Sequence, residues 1–190
     1  CPHGRVNGRR RVVFVAEQSV VFESLLVLVF PAAMAFAGAM DLLTMTIPNR
    51  ISLVLVAAFA LAAAISGLPL DTLLINHVAV GAAMLVAGIA MFSLGWMGGG
   101  DAKLLAASAL WLGYDHLMPF LVLVSLLGGV LALAILGYRR FVPMAAVIGT
   151  VPKWAERLHE NGTGIPYGIA ISGGALSMYP STHWFTYLLR

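Results

Sequence analysis

Only one cysteine, Cys1, occurs among the 190 residues. No intrachain disulfide, CxxC zinc site or iron–sulfur site can therefore be built from this chain. Five histidines are present but scattered, at His3, His77, His116, His159 and His183, with none paired at i, i+3 or i, i+4. A histidine-based metal site is not expected, and no other feature implies a cofactor. Charge is also scarce: 10% of residues are Asp, Glu, Lys or Arg, whereas a soluble domain carries about 25%. The formal net charge is +3, and no basic patch is interleaved with aromatics, so nucleic acid is not an expected partner. Alternating polar residues are too few for a membrane barrel.

What remains is apolar: 61% of the residues are hydrophobic, and they fall in long blocks rather than amphipathic stripes. The composition predicts an all-α, polytopic membrane protein. About 20 apolar residues span a bilayer, and on that measure the chain divides into about six transmembrane helices. They are expected near 20–40, 51–67 and 73–95, in a short fourth and a longer fifth divided at Gly113-Tyr114-Asp115-His116, and over 165–187. The 102–137 stretch is too long for one span, which is why a break is placed there. Residues 138–164 form the one sizeable loop. With six crossings, Arg50, Lys103, Arg139, Arg140, Lys153 and Arg157 share one side. The opposite loops then hold Asp71 and Asp115 without a cation, which is the positive-inside asymmetry. The basic tail at 1–19, with Arg5, Arg9, Arg10 and Arg11, disagrees with this orientation and is expected to come from an upstream start. Residues 20–190 are expected to form a single membrane-embedded domain without repeats.

Two acids stand apart from this background. Asp41 ends the first expected span in DLLTMTIPNR, and Asp101 follows Gly98, Gly99 and Gly100 in GGGDAKLLAA. Two crossings separate them, so both belong at the same membrane face. A carboxylate at the centre of a spanning helix costs about 2.5–3.5 kcal/mol on insertion scales, and acids near span ends are uncommon. Each acid alone could be an interfacial residue facing water, as Asp71 and Asp115 are expected to be. The irregular backbone beside Asp41 and Asp101 argues otherwise. The three glycines permit positive φ and close approach. Pro48 restricts Ile47 to extended geometry, and Asn49 can cap the helix that follows. Lys103 is either an interfacial anchor or part of the same loop. Two carboxyl groups within hydrogen-bond distance do not readily both ionise, so such a pair shares a proton. One member can then take a proton from water while the other donates to a carbonyl oxygen, which is peptide hydrolysis without a metal or a covalent intermediate.

Three segments together, DLLTMTIPNR at 41–50, GGGDAKLLAA at 98–107 and GIPYGIAISGGAL at 164–176, resemble the type IV prepilin peptidases, membrane aspartic proteases of the GxGD class. The similarity runs from about residue 20 onward and is greatest to the short members that serve tight-adherence (Flp) pili. The resemblance implies that Asp41 and Asp101 are the catalytic pair, that Gly98 and Gly100 shape the active-site loop with Gly99 and Lys103, and that Pro48, Asn49, Pro166, Tyr167 and Gly168 lie near the substrate cleft. It implies an endopeptidase of the bacterial inner membrane, with its active site at the cytoplasmic face, that removes the short basic leader of a prepilin or pseudopilin after a glycine. Longer members carry a cysteine-rich zinc domain and methylate the new N-terminus. That domain is missing between these motifs, and the resemblance leaves methylation without support. A plainer reading of Pro166-Tyr167-Gly168 is a helix start, with Gly168, Gly173 and Gly174 allowing close helix packing.

Rival readings exist. A proton-coupled transporter would also place carboxylates in the membrane, but no inverted repeat is evident. A serine intramembrane protease is suggested by ISGG at 171–174, yet Ser172 and His183 would lie roughly 16 Å apart along one helix. A presenilin-like protease lacks its YD pair and PAL tripeptide here. A structural subunit would tolerate Asn at either acidic position. Sequence does not indicate the oligomeric state or which acid plays which role.

Overall fold

The structure is a computed structural model that describes residues 25–143, 147, 149–160 and 164–188. The basic tail at 1–19 and the expected start of the first span lie outside the described residues. All regular structure among the described residues is helical. Four helices are long and apolar enough to cross a membrane: α1 (Leu25–Thr44), α2 (Asn49–Ser66), α3 (Leu70–Ser93) and α4 (Gly99–Phe141). The short α5 (Lys153–His159) lies in the loop that follows. The expected sixth crossing is built of three pieces instead of one continuous span: α6 (Tyr167–Met178), a 3-10 turn at Tyr179–Ser181, and α7 (His183–Leu188). Pro180, within that turn, lacks the N–H that a continuing helix would need.

The surface is apolar and the interior holds polar groups, as a bilayer requires. Leu133, Leu53 and Val86 are more than two-thirds exposed, while Asp41, Ser108, Ser172 and Thr182 are buried. Because lipid is as apolar as leucine, helices here associate through close packing and hydrogen bonds. Glycines supply much of the closeness. A Cβ at Gly88 would stand 2.9 Å from Ala102 Cβ, and one at Gly81 would stand 3.0 Å from Leu110 Cβ, so α3 lies tightly along the start of α4. Gly174 does the same for α6, where a Cβ would stand 2.8 Å from Val124 Cγ2.

The 43 residues of α4 would extend about 65 Å if straight, roughly twice the hydrocarbon thickness. A break falls at Gly113, with φ 73° and ψ −177°, within the Gly113–His116 stretch where the sequence places one. A helix end leaves carbonyls without backbone partners, and in a membrane these must be satisfied within the protein. Three side chains do this. His77 Nδ1 donates to Leu110 O (3.0 Å), Trp184 Nε1 to Trp111 O (2.8 Å), and His116 Nδ1 to Leu112 O (3.2 Å). His77 sits in a π-helical turn, Leu73–Val78, inside α3. It lies so close to the break that a Cβ at Gly113 would be 2.9 Å from its Cε1.

Beside the break, Trp111, Trp184, Phe30, Phe59 and Tyr179 stack into one aromatic core. Ring centroids are separated by 4.7 Å for Phe30–Tyr179 and 5.7 Å for Trp111–Trp184. Each polar tip finds a backbone carbonyl: Trp111 Nε1 donates to Leu55 O, and the Tyr179 hydroxyl to Val27 O. This cluster fastens α1, α2, α4 and the C-terminal pieces together at one end of the bundle. At the other end, α1, α4 and α6 bring their own special residues together.

Candidate functional site

Asp41 lies in the last turns of α1, slightly inside the helix instead of beyond it. It is buried, at 5% exposure. The N-terminus of α6 meets it: Gly168 N–H donates to Asp41 Oδ2 over 2.7 Å, and Ile169 N–H also bonds the carboxylate. A helix N-terminus offers unpaired donors and the positive end of the dipole, so it is a natural seat for an anion. The seat demands glycine. A Cβ at Gly168 would stand 2.7 Å from Asp41 Oδ2, 2.7 Å from Ile47 Cδ1 and 2.9 Å from Asp41 Cβ.

Asp101 occupies the first turn of α4, whose N-cap is Gly98. Its carboxylate reaches back to the Gly98 backbone N–H, which is half of a capping box. Its Oδ1 is buried without a hydrogen-bond partner. Asp41 and Asp101 come to the same end of the bundle, on helices that meet around Ile47. Ile47 wedges between their helices. Its side chain abuts Gly168, and a Cβ at Gly100 would lie 3.0 Å from Ile47 Cβ. The turn between α1 and α2 thus passes through the junction of α4 and α6.

Of the two uses expected of the three glycines, positive φ is not taken and close approach is. Gly98 has φ −68° and ψ 144°, and Gly99 and Gly100 are helical. None uses positive φ; Gly95 does, at φ 73°. Gly100 serves close approach to Ile47, and Gly98 leaves room for Asp101 Oδ2, which would be 3.1 Å from a Cβ there. Asn49 does not cap α2. The N-cap is Pro48, at φ −61° and ψ 136°, with no side-chain capping bond. Asn49 Oδ1 instead accepts from Lys103 Nζ at 2.8 Å, which ties the Pro48-Asn49 turn to the start of α4. The Tyr167 ring lies against Gly128 in the second half of α4. Pro166, buried, is the N-cap of α6.

Met45 carried no sequence signal, and the contacts of Arg157, Arg139 and Ser172 were not foreseen. Met45 adopts φ 55° and its N–H donates to Asp41 O at 2.8 Å, so a left-handed non-glycine residue ends α1 just past the acid. Arg157 of α5 donates to Leu43 O at 3.2 Å, which ties α5 to the end of α1. Arg139 bonds Leu158 O. Lys103, Arg139 and Arg157 therefore gather at the end that holds both acids, as the charge asymmetry expects. Ser172 Oγ is buried and has no partner; it packs against Gly38, one turn from the Asp41 seat. Among the described residues no group of three or more His, Cys, Asp or Glu is placed to hold a metal ion.

Fold and site together define a multi-pass helical membrane protein that seats two aspartates from separate helices at one end of its bundle. A family model described as the type IV leader peptidase family matches residues 28–133, more than half of the chain and both acids. The chain belongs to that family. No curated protein and no solved structure matches it.

Proposed function

We propose that this peptidase is an aspartic endopeptidase that removes the short basic leader of a prepilin or pseudopilin at the cytoplasmic face of the bacterial inner membrane. The observation that carries the reading is that the Asp41 seat at the N-terminus of α6 and the first turn of α4, which bears Asp101, both pack on Ile47. Family membership supports the peptidase class, and the cations gathered at the same end support a cytoplasmic orientation. The similarity to the tight-adherence (Flp) members makes a Flp-type prepilin the substrate to test first.

The hydrogen bonds suggest a division of labour. Asp41 accepts from two backbone N–H groups, so it is fixed as an acceptor and takes a proton from the attacking water. Asp101 has a free oxygen and gives its proton to the scissile carbonyl. Water oxygen bonds to the carbonyl carbon, forming a gem-diol. Asp101 then recovers a proton from one of its hydroxyls as the C–N bond breaks, and Asp41 passes its proton to the leaving amine. Both acids return to their starting states. Gly100 lets α4 approach the Ile47 turn and Gly98 leaves room for the Asp101 carboxylate, while Lys103, Asn49 and Pro48 hold the facing turn. Pro166 and Gly168 set the start of α6 against Asp41. Tyr167 supports that start from the side of Gly128.

Co-expression with a candidate Flp-type prepilin tests the reading. Wild type processes the prepilin, while Asp41→Asn and Asp101→Asn each accumulate it unprocessed at normal membrane levels of the enzyme. Processing that persists in both variants removes the assignment. A proton-coupled transporter would leave the prepilin intact even in the wild type.

A further inference from the structure

An apolar groove of about 560 Å³ opens on the side of the bundle between α2 and α3, with the first half of α4 as its floor. It is separate from the acid pair. Lys103 and Leu110 line it from one face of α4, and Asp101 lies two residues, or about 200° of helical turn, away from Lys103. The groove is amphiphilic along its length. Its polar lining residues, Asn49, Ser52 and Lys103, all sit in the first turns of α2 and α4. Deeper in, Val56, Ala82 and Leu110 make it apolar.

We infer that this groove binds one anionic phospholipid of the same leaflet, with an acyl chain along α4 and the phosphate on Lys103. Three features point to that occupant. The Lys103 ammonium is exposed and gives one bond to Asn49 Oδ1. An ammonium carries three donors, so two remain for a phosphate. The polar end coincides with the end of the bundle that gathers Arg139 and Arg157, where the interface and its headgroups lie. The groove is also short. From Lys103 to Leu110 the helix rises about 10 Å, within the roughly 15 Å of hydrocarbon in one leaflet. A spanning protein helix would be matched over only part of its length. The lipid would clasp α2 to α4 next to the Lys103–Asn49 bond and so brace the turn that carries Ile47 to the acids. This inference goes beyond the peptidase reading and does not depend on it.

Native mass spectrometry and thermal unfolding of the purified full chain in neutral detergent test it, with three probes: phosphatidylglycerol, phosphatidylcholine of matched chains, and inorganic phosphate. Phosphatidylglycerol is expected to bind the wild type and raise its unfolding temperature, and the other two are not. Lys103→Gln is expected to weaken phosphatidylglycerol binding about ten-fold, and Lys103→Arg to retain it. Arg140→Gln, which removes an exposed cation outside the groove, should leave binding intact. Ala82→Phe fills the groove and should weaken binding with Lys103 still present, so the inference stays testable if the Lys103 variant misfolds. Equal binding of phosphatidylcholine, replacement by phosphate, or binding indifferent to both Lys103→Gln and Ala82→Phe would overturn it. So would a photocrosslinker at position 82 that captures protein and not lipid in native membranes.

Discussion

Replacing Gly168 with alanine puts the seat of Asp41 to a quantitative test. Gly168 is helical and has no positive φ, so on propensity alone alanine would stabilise α6 by about 0.8–1.0 kcal/mol. The contacts argue the reverse. The new Cβ would stand 2.7 Å from Asp41 Oδ2 and Ile47 Cδ1 and 2.9 Å from Asp41 Cβ, all well inside van der Waals separation. Overpacking of this kind costs about 1–3 kcal/mol. Displacing α6 also weakens the 2.7 Å bond from Gly168 N–H to a carboxylate, a class worth about 1.5–3 kcal/mol. The losses outweigh the gain, so the variant should be less stable by a few kcal/mol. Moving a catalytic group by an ångström costs about a hundred-fold in rate, so prepilin cleavage should fall by that order. Gly38→Ala is the control. Its Cβ would crowd Ser172 on the same α1–α6 seam, at 3.1 Å from both Cβ and Oγ, without touching either acid. Its unfolding temperature should fall with cleavage kept within about ten-fold, below the hundred-fold loss set by misplacing a catalytic group. Both are read from purified protein, by thermal unfolding and by leader cleavage. A Gly168→Ala enzyme as stable and active as the wild type would refute the proposed seat.

Met45 holds a left-handed conformation that costs a non-glycine residue about 1–2 kcal/mol. Met45→Gly should therefore raise stability by roughly 1 kcal/mol, measured by denaturant titration, with any activity loss reporting loosened closure after Asp41. Gly113→Ala would combine a strained φ with a contact 2.9 Å from His77 Cε1. It should lower the unfolding temperature sharply while leaving the acids in place. Trp184→Phe keeps the aromatic packing but leaves the Trp111 carbonyl without its donor. A loss of about 1–3 kcal/mol is expected, and retained stability would mean that the break at Gly113 is sealed another way.

Sequence made the helical membrane class legible, because apolar blocks follow directly from the composition of a bilayer-embedded chain. The break at Gly113 was also legible, since one stretch was too long for one crossing. So was the placement of Asp41 and Asp101 at one end, which needed only the parity of two crossings. The Asp41 cradle at Gly168 and Ile169 was hidden. It depends on α6 folding back across more than a hundred residues, and a helix-start motif does not announce what it points at. The glycines left two uses open for a related reason. Glycine signals both unusual φ and close approach, and only the second applies to 98–100. Asn49 looked like a cap because asparagine favours that position, but Pro48 already stood there, and the Asn49 side chain was free to meet Lys103. The stretch expected to form a sixth span was read as one continuous helix because hydropathy does not register how Pro180 interrupts a helix.

Whether the two aspartates work as one unit is tested most directly by cleavage kinetics of Asp41→Asn, Asp101→Asn and the double variant, on one prepilin substrate. Groups that act together are strongly non-additive. Each single substitution should lower kcat/KM by about a hundred- to ten-thousand-fold, and the double should be no slower than the slower single. Losses that multiply in the double variant, or a single variant that cleaves at the wild-type rate, would contradict the paired site.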